Sequence, residues 1–312
     1  MKTILVPLDG SALAEQILQY VQVVAPLLDA SVRLVQVVSE PAPESVLVES
    51  MTGLYGVSEP VAHQRERSRV ALDETLAGAE AYLAARAARL EDAGLEVTFD
   101  VQIGSAPEII VDIAHSSQIK LIAMATHGYS GLRRWVLGSV ADRVVQAATV
   151  PVLLIRATQY SQRGFGLSRV LLPLDGSELA LQALPLAREL ALKSGAELMF
   201  VEAVSPDVES YPSLVAQPVS PYGTTVGALH DQAKRNLAML ADQVRAGGVA
   251  VASIVENGPA AEVIVDEATR QNISLIVMAT HGRGGLRRWA MGSVADKVLH
   301  AAHIPLLLVR VS

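Results

Sequence analysis

Met124-Ala125-Thr126-His127-Gly128, followed after nine further residues by Gly138-Ser139-Val140-Ala141-Asp142, is written twice in this chain. It returns as Met278-Ala279-Thr280-His281-Gly282 and, nine residues later, Gly292-Ser293-Val294-Ala295-Asp296. Around these blocks, Ile119 to Arg156 matches Ile273 to Arg310 at about two-thirds of positions, which identifies a duplicated structural unit. A shorter echo opens each copy: Val6-Pro7-Leu8-Asp9-Gly10-Ser11 against Leu172-Pro173-Leu174-Asp175-Gly176-Ser177.

The aspartates of the opening motif stand 166 residues apart, whereas the glycines Gly128 and Gly282 stand 154 apart. Gly104 and Gly258 already share the shorter spacing, so the 12 extra residues of the first copy fall in its middle. The repeat divides the 312 residues into a first domain at 1–157, a linker at 158–167 and a second domain at 168–312. The linker contains Gln159-Tyr160-Ser161-Gln162-Arg163-Gly164, which interrupts the apolar pattern.

Within each copy strands and helices alternate. Lys2 to Leu8 is a short apolar strand, Ser11 to Leu28 has helical periodicity, and Val32 to Val38 is a β-branched run. A loop with Pro41 and Pro43 precedes a long Ala-rich helix from Val61 to Ala93, which Gly94 is placed to terminate in a left-handed conformation. Leu95 to Ile103 alternates as a strand. Ala106 to Ser117 is a helix with Pro107 in its first turn, Leu121 to Ala125 a strand, Ser139 to Ala148 the last helix and Val150 to Ile155 the last strand. The second copy repeats this from Arg169 to Val309, with a loop carrying Pro206, Pro212, Pro218 and Pro221. Apolar strands separated by helices predict parallel sheets with right-handed crossovers, one sheet per copy. The expected fold class is α/β, two tandem doubly wound five-stranded parallel-sheet domains.

Composition excludes several functions. Apolar residues make up 51% and aromatics 4%, so the core is built from Ala, Val, Leu and Ile, and the chain is not disordered. The net charge of -7 and pI near 5.5 give no general attraction to nucleic acid or to anionic membranes. There are no cysteines, hence no thiolate metal site and no thiol nucleophile. The first residues reach an acidic turn too early for a secretion signal, and no apolar run approaches the roughly 18 residues of a membrane span, so a cytoplasmic protein is expected.

In a doubly wound sheet, ligands bind beyond the carboxyl ends of the strands where the strand order reverses. With an order 3-2-1-4-5, Asp9 after the first strand and Ala125 to Gly128 after the fourth meet at that point. Gly138-Ser139 begins a helix, where unpaired N–H groups and the positive end of the dipole suit a phosphate. Ser139-Val140-Ala141-Asp142 equally reads as a capping box, and Asp9 and Asp175 as turn or N-cap carboxylates.

The Val-Pro-x-Asp-Gly-Ser turn, the glycine loop and the closing Val-Pro-Val-Leu-Leu-Ile strand resemble the universal stress protein family in its tandem two-domain form. The resemblance covers nearly all of both halves and implies the Rossmann-like, adenine nucleotide alpha hydrolase-like fold. The ATP-binding variant of that family carries Gly-x(2)-Gly-x(9)-Gly-Ser/Thr. Here the matching residues are Ala125, Gly128, Gly138 and Ser139, then Ala279, Gly282, Gly292 and Ser293, with alanine in place of the first glycine in both copies.

The resemblance implies one adenine nucleotide per domain, ATP with ADP or AMP as alternatives, and Mg²⁺ carried on the phosphates. It places Asp9 and Asp175 at the adenine and ribose end, with Pro7, Val37 and Met124 lining the base pocket of the first copy and Pro173, Ala203 and Met278 that of the second. Val140 and Val294 contribute backbone amides beside the phosphates. It further implies that the closing strands pair between the domains as an internal pseudo-dimer, with a homodimer as a further possibility. The downstream protein partner is not legible.

Other residues near the loop have two readings. His127 and His281 could bond a phosphate or merely pack, and Arg133-Arg134 and Arg287-Arg288 could serve phosphates or a solvated helix face. Arg283 stands where the first copy has Tyr129, so the second site is expected to hold a triphosphate more tightly. His300 and His303 are spaced as metal ligands might be, yet their counterparts are Gln146 and Thr149, which favours a satisfied or solvated pair. No P-loop, Gly-x-Gly-x-x-Gly fingerprint or Gly-x-Ser-x-Gly elbow occurs, so no catalytic residues are assigned. The rival readings are a nucleotide-free interaction module of the same family and a slow ATPase or adenylyl-transfer protein.

Overall fold

The computed structural model describes residues 2–39, 61–116, 118–127, 137–157, 164–205, 226–281 and 292–311. The first half contains β1 (Lys2–Pro7), a 3-10 turn (Ala14–Ile17), α1 (Leu18–Leu27), β2 (Ala30–Val38), α2 (Val61–Asp92) and β3 (Val97–Ile103). It continues with α3 (Ala106–Ser116), β4 (Ile119–His127), α4 (Ser139–Ala147) and β5 (Val152–Ala157). The second half repeats the pattern as β6 (Arg169–Leu174), a one-turn helix α5 (Glu178–Leu181), α6 (Leu184–Ser194), β7 (Glu197–Val204) and α7 (Val226–Arg245). It ends with β8 (Val251–Asn257), α8 (Ala260–Arg270), β9 (Leu275–His281), α9 (Ser293–Ala301) and β10 (Leu306–Val311).

Each half has the expected order 3-2-1-4-5 in a five-stranded parallel block, and the two blocks join edge to edge. The described strands form a single ten-stranded sheet, β3-β2-β1-β4-β5-β10-β9-β6-β7-β8. All neighbours are parallel except β5 and β10, which pair antiparallel through Leu154↔Leu306, Leu153↔Leu307 and Val152↔Leu308. Strands this apolar would present an unpaired, aggregation-prone edge in each half if left open, and pairing them removes both edges at once. The expected pairing of the closing strands is therefore present within one chain.

The long helix ends as its sequence predicts. Gly94 has φ +85°, a conformation that costs a residue with a Cβ, and its N–H bonds the carbonyl of Glu91 at 2.8 Å. The first helix departs from expectation. Instead of one helix from Ser11, the chain makes the 3-10 turn before α1, with the Ser11 side chain accepting from the Ala14 N–H at 3.1 Å at its entry.

Strand alternation sends side chains to two packed faces. Ile4, Val6 and Leu34 meet Val21 and Val24 of α1 and Leu83 and Leu90 of α2 on one face. Leu5, Ile122 and Leu154 meet Ile110 of α3 and Val144 of α4 on the other. Each such fully buried Leu or Ile contributes roughly 1.5–3 kcal/mol before the entropy of ordering is subtracted. Both clusters continue with the equivalent residues of the second half, so the layers run unbroken across the seam.

Candidate functional site

The strand order reverses between β1 and β4, and their ladder is short. Thr3, Ile4 and Leu5 pair with Ile119, Leu121 and Ile122, while the next residues of β1 pair only with β2, through Val6↔Leu34 and Pro7↔Val35. Pro7 has no N–H to offer a ladder, which favours a parting of the strands at this end. β6 and β9 show the same short contact, Val170↔Leu275 and Leu171↔Ile276.

The crevice so formed in the first half is a cavity of about 240 Å³. Pro7 and Asp9 come from the end of β1, Val35 and Val37 from β2, Met124, Ala125 and Thr126 from β4, and Gly138, Ser139, Val140 and Ala141 from the start of α4. Of the candidate residues of the first copy, Pro7, Asp9, Val37, Met124, Ala125, Gly138, Ser139 and Val140 all line it. Gly128 lies outside the described residues, as do Gly282, Arg283 and the four paired arginines. The side chains of His127 and His281 are likewise outside the description.

Sequence reasoning missed Ala106 and Ile110 of α3, which close one wall, and Thr126, whose Oγ1 donates to the Ile155 carbonyl at 3.1 Å and ties β4 to β5. Their repetition as Ala260, Ile264 and Thr280 was a usable signal. Thr280 makes the corresponding bond to Val309 at 3.5 Å.

The floor of the mouth is a turn built by Asp9. Its Oδ1 accepts from the Ser11 N–H at 2.9 Å, with Gly10 at φ +82° between them. Asp175 repeats this with Ser177 N at 3.0 Å and Ser177 Oγ at 2.6 Å, across Gly176 at φ +75°. The turn-carboxylate reading of both aspartates is thus realised, and the same residue lies at the pocket in the first half.

The capping-box reading of Ser139 and Asp142 is corrected. Gly138, not Ser139, is the residue before the first turn, and no side chain caps the helix. Asp142 is engaged elsewhere, its Oδ1 accepting from Gln146 Nε2 at 2.9 Å. Gly292 and Ser293 occupy the same places at the start of α9, again without a side-chain cap. The start of α4 lines the cavity, its N-cap residue Gly138 offers no side-chain cap, and the helix dipole adds partial positive charge there.

Gly138 has φ −59° and ψ 149°, which any residue adopts, and nothing among the described residues lies within 4 Å of where its Cβ would be. Its want of a side chain keeps space open rather than relieving strain. This is the fit expected of a phosphate cradle, with an apolar pocket behind it for a flat base. The volume is slightly under the roughly 300–1,000 Å³ of drug-sized ligand sites.

Two orphan oxygens occupy equivalent positions of the two halves, 166 residues apart. Gln36 Oε1 in β2 and Glu202 Oε2 in β7 are buried without hydrogen-bond partners. Burial, and secondarily the nearby Asp175 carboxylate, push the Glu202 carboxyl up to about 7.

No cluster of His, Asp or Glu suited to a metal ion occurs among the described residues. His300 Nδ1 lies 2.7 Å from the Asp296 carbonyl, and His303 lies against Arg156, so the expected satisfied pair is what the fold contains. No helix among the described residues is long and apolar enough to cross a membrane.

Comparison with known proteins finds the model of the universal stress protein family matching twice, at residues 1–156 and 166–310. A universal stress protein of Mycobacterium tuberculosis is 31% identical over 224 residues, covering 71% of each chain. One from Mycolicibacterium smegmatis is 28% identical over 312 residues, covering 98% of this chain and 96% of the relative. Among solved structures, a universal stress protein from Archaeoglobus fulgidus superposes with a TM-score of 0.71 at 20% identity, covering 99% of this chain and 98% of that one, a likeness of fold.

Proposed function

Because the chain belongs to the universal stress protein family, as a tandem of two such domains, we propose that each half binds ATP and that occupancy regulates its contacts with other proteins. The carrying observation is the coincidence, in one crevice, of the uncapped start of α4 at Gly138, the Asp9 turn and the apolar wall of Val37 and Met124. In this reading Asp9 and Asp175 hold the ribose, and Pro7, Val37 and Met124, with Pro173, Ala203 and Met278, hold the base. Gly138, Ser139 and Val140, with Gly292, Ser293 and Val294, present amides to the phosphates, assisted by Gly128 and Gly282. Mg²⁺ bound with the nucleotide would neutralise phosphate charge.

The extra charge of Arg283 is proposed to favour a triphosphate in the second half. Ala125 and Ala279 narrow the pocket by a methyl each, yet the first-half cavity stays open with Ala125 in its wall. The proposed location is the cytoplasm, where ATP is abundant. ADP or AMP in place of ATP would leave the base and ribose contacts unchanged.

The role assigned in this reading is binding, with conformation or partner choice shifted by differential affinity. The test is nucleotide extracted from heat-denatured purified protein, together with calorimetry against ATP, ADP and AMP. Adenine nucleotide near two equivalents per chain is expected. No extractable nucleotide, and no heat at millimolar ligand, overturns the proposal in favour of a nucleotide-free interaction module.

A further inference from the structure

The two halves repeat their pocket walls closely but part at one buried position. Val35 and Val201 are the register partners of Pro7 and Pro173, and the next residues are Gln36 and Glu202. Alternation turns these two away from the pocket wall, toward the opposite face of the sheet and the underside of the aspartate turns. In the first half a Cβ at Gly10 would stand 3.7 Å from Gln36 Nε2, whereas no described atom comes within 4 Å of a Cβ at Gly176, so in the second half the nearness rests on register: Glu202 pairs with Leu174, the residue before Asp175.

Glu202 is only 6% exposed, and its Oε2 has no partner. From the turn after β6 it is faced by Asp175, a like charge. From α7, His230 is committed by Nε2 to the carbonyl of Val255, the register partner of Glu202, at 3.1 Å. Asp231, Lys234 and Arg235 of α7 are exposed. On α6, Arg188 lies against Gly247, and Glu189 pairs with Lys2 and Lys193. Among the described residues no Lys or Arg forms an ion pair with Glu202. A buried carboxylate beside a second carboxylate is costly, and a proton removes the cost.

We infer that Glu202 is a positioning residue that makes the second nucleotide site proton-linked, so that this half binds ATP more tightly as the pH falls, while Gln36 leaves the first half without that response. The inference rests on the nucleotide reading above. Protonated, Glu202 is neutral beneath the Asp175 turn and leaves that carboxylate free to face the ribose. Ionised, it repels Asp175 and adds negative charge under the polyphosphate. Binding of an anion raises the proton affinity of Glu202 further, and by reciprocity proton uptake raises the affinity for the anion. With the carboxyl already near 7 in the free protein, the response lies between about pH 6 and pH 8.

The test uses the full chain with one site closed at a time, Gly138→Asp to read the second half and Gly292→Asp to read the first, and ATP titrated at each pH. Ionisation of the γ-phosphate affects both halves alike, so the difference between variants is the readout. The second half is expected to lose about tenfold more affinity than the first from pH 6 to pH 8. Glu202→Gln, which installs the residue native to the first half, should flatten the excess, and Gln36→Glu should transfer it. Equal profiles in the two halves, or a second half that binds at no pH, overturn the proton link while leaving first-half binding standing. Absence of binding in both halves overturns the nucleotide reading together with it.

Discussion

Arg156 Nη1 lies 2.7 Å from His303 Nδ1 across the seam where β5 meets β10. The equivalent arginine of the other half, Arg310, instead donates to the Gln146 and Ala148 carbonyls at 2.9 and 2.6 Å. Thr149 stands where the second half has His303, so the seam is chemically asymmetric although its backbone is repeated.

The asymmetry predicts a small pH dependence. Burial, then the neighbouring Arg156 charge, hold the His303 imidazole below its ordinary value. The folded state therefore favours the neutral ring. The resulting stability is complete above the ordinary histidine range and is lost as pH falls through it toward the lowered folded value. Because the group is largely exposed, the effect should stay below about 1 kcal/mol. Thermal melts of wild type and His303→Thr from pH 8 to pH 5 check this: the variant should lose less stability on acidification, and parallel curves would count against the assignment.

A second asymmetry lies under the first-half turn. Arg86 Nη2 donates to Glu15 Oε1 at 2.6 Å and stacks 4.4 Å from the Tyr82 ring centroid, whereas aligned positions of the second half hold Leu240, Leu181 and Asn236. Removing one partner strands a partly buried charge, so Arg86→Leu or Glu15→Leu alone should cost about 1–3 kcal/mol. The double variant recreates the apolar arrangement of the second half and should recover to within about 1 kcal/mol of wild type. Denaturant melts in a double-mutant cycle measure the coupling, and additive losses would contradict it.

Ala125 lines the wall of the first-half cavity. Ala125→Gly removes the methyl from the wall and should improve ATP affinity several-fold. It should also cost about 0.5–1 kcal/mol of stability, since glycine weakens a strand. Calorimetry and melting on the same sample read both, and unchanged affinity would mean that the methyl does not touch the base or phosphate.

The backbone at Gly138 permits a side chain, and nothing among the described residues stands in its way. Gly138→Asp should therefore leave the melting point of nucleotide-free protein nearly unchanged while placing a carboxylate where phosphate charge is expected. Bound nucleotide should fall from about two equivalents to one, and to none with Gly292→Asp added. Retention of two equivalents in the double variant would remove the helix starts from the site.

Most of the fold was legible because it is carried by local patterns repeated twice. β1, α2, α4 and their second-half equivalents follow from apolar runs, Ala-rich periodicity and the glycine stop at Gly94. The single sheet was not derivable from periodicity, since whether Leu153 and Leu307 cover one another or something else is a tertiary choice. At the site, Asp9, Met124 and Gly138 announced themselves by repetition around glycines. Ile110 did not, because a pocket-lining apolar residue on an amphipathic helix looks like any core residue. Glu202 escaped notice for the opposite reason: it breaks the repeat, and only the register with Leu174 and the burial of its carboxyl give the difference a meaning.

The antiparallel junction of β5 with β10 has a geometric outcome for the two sites. Strands within a half all run one way, and the junction reverses that direction, so the carboxyl ends of the strands in the two halves point to opposite rims of the sheet. The mouths open back to back. If each half holds a nucleotide as proposed, a compact partner docked over one rim would not reach the other, and a protein reading both would have to embrace the molecule or arrive as two copies. Two ligands on one chain would then be reported as two separate addresses rather than as a single doubled signal.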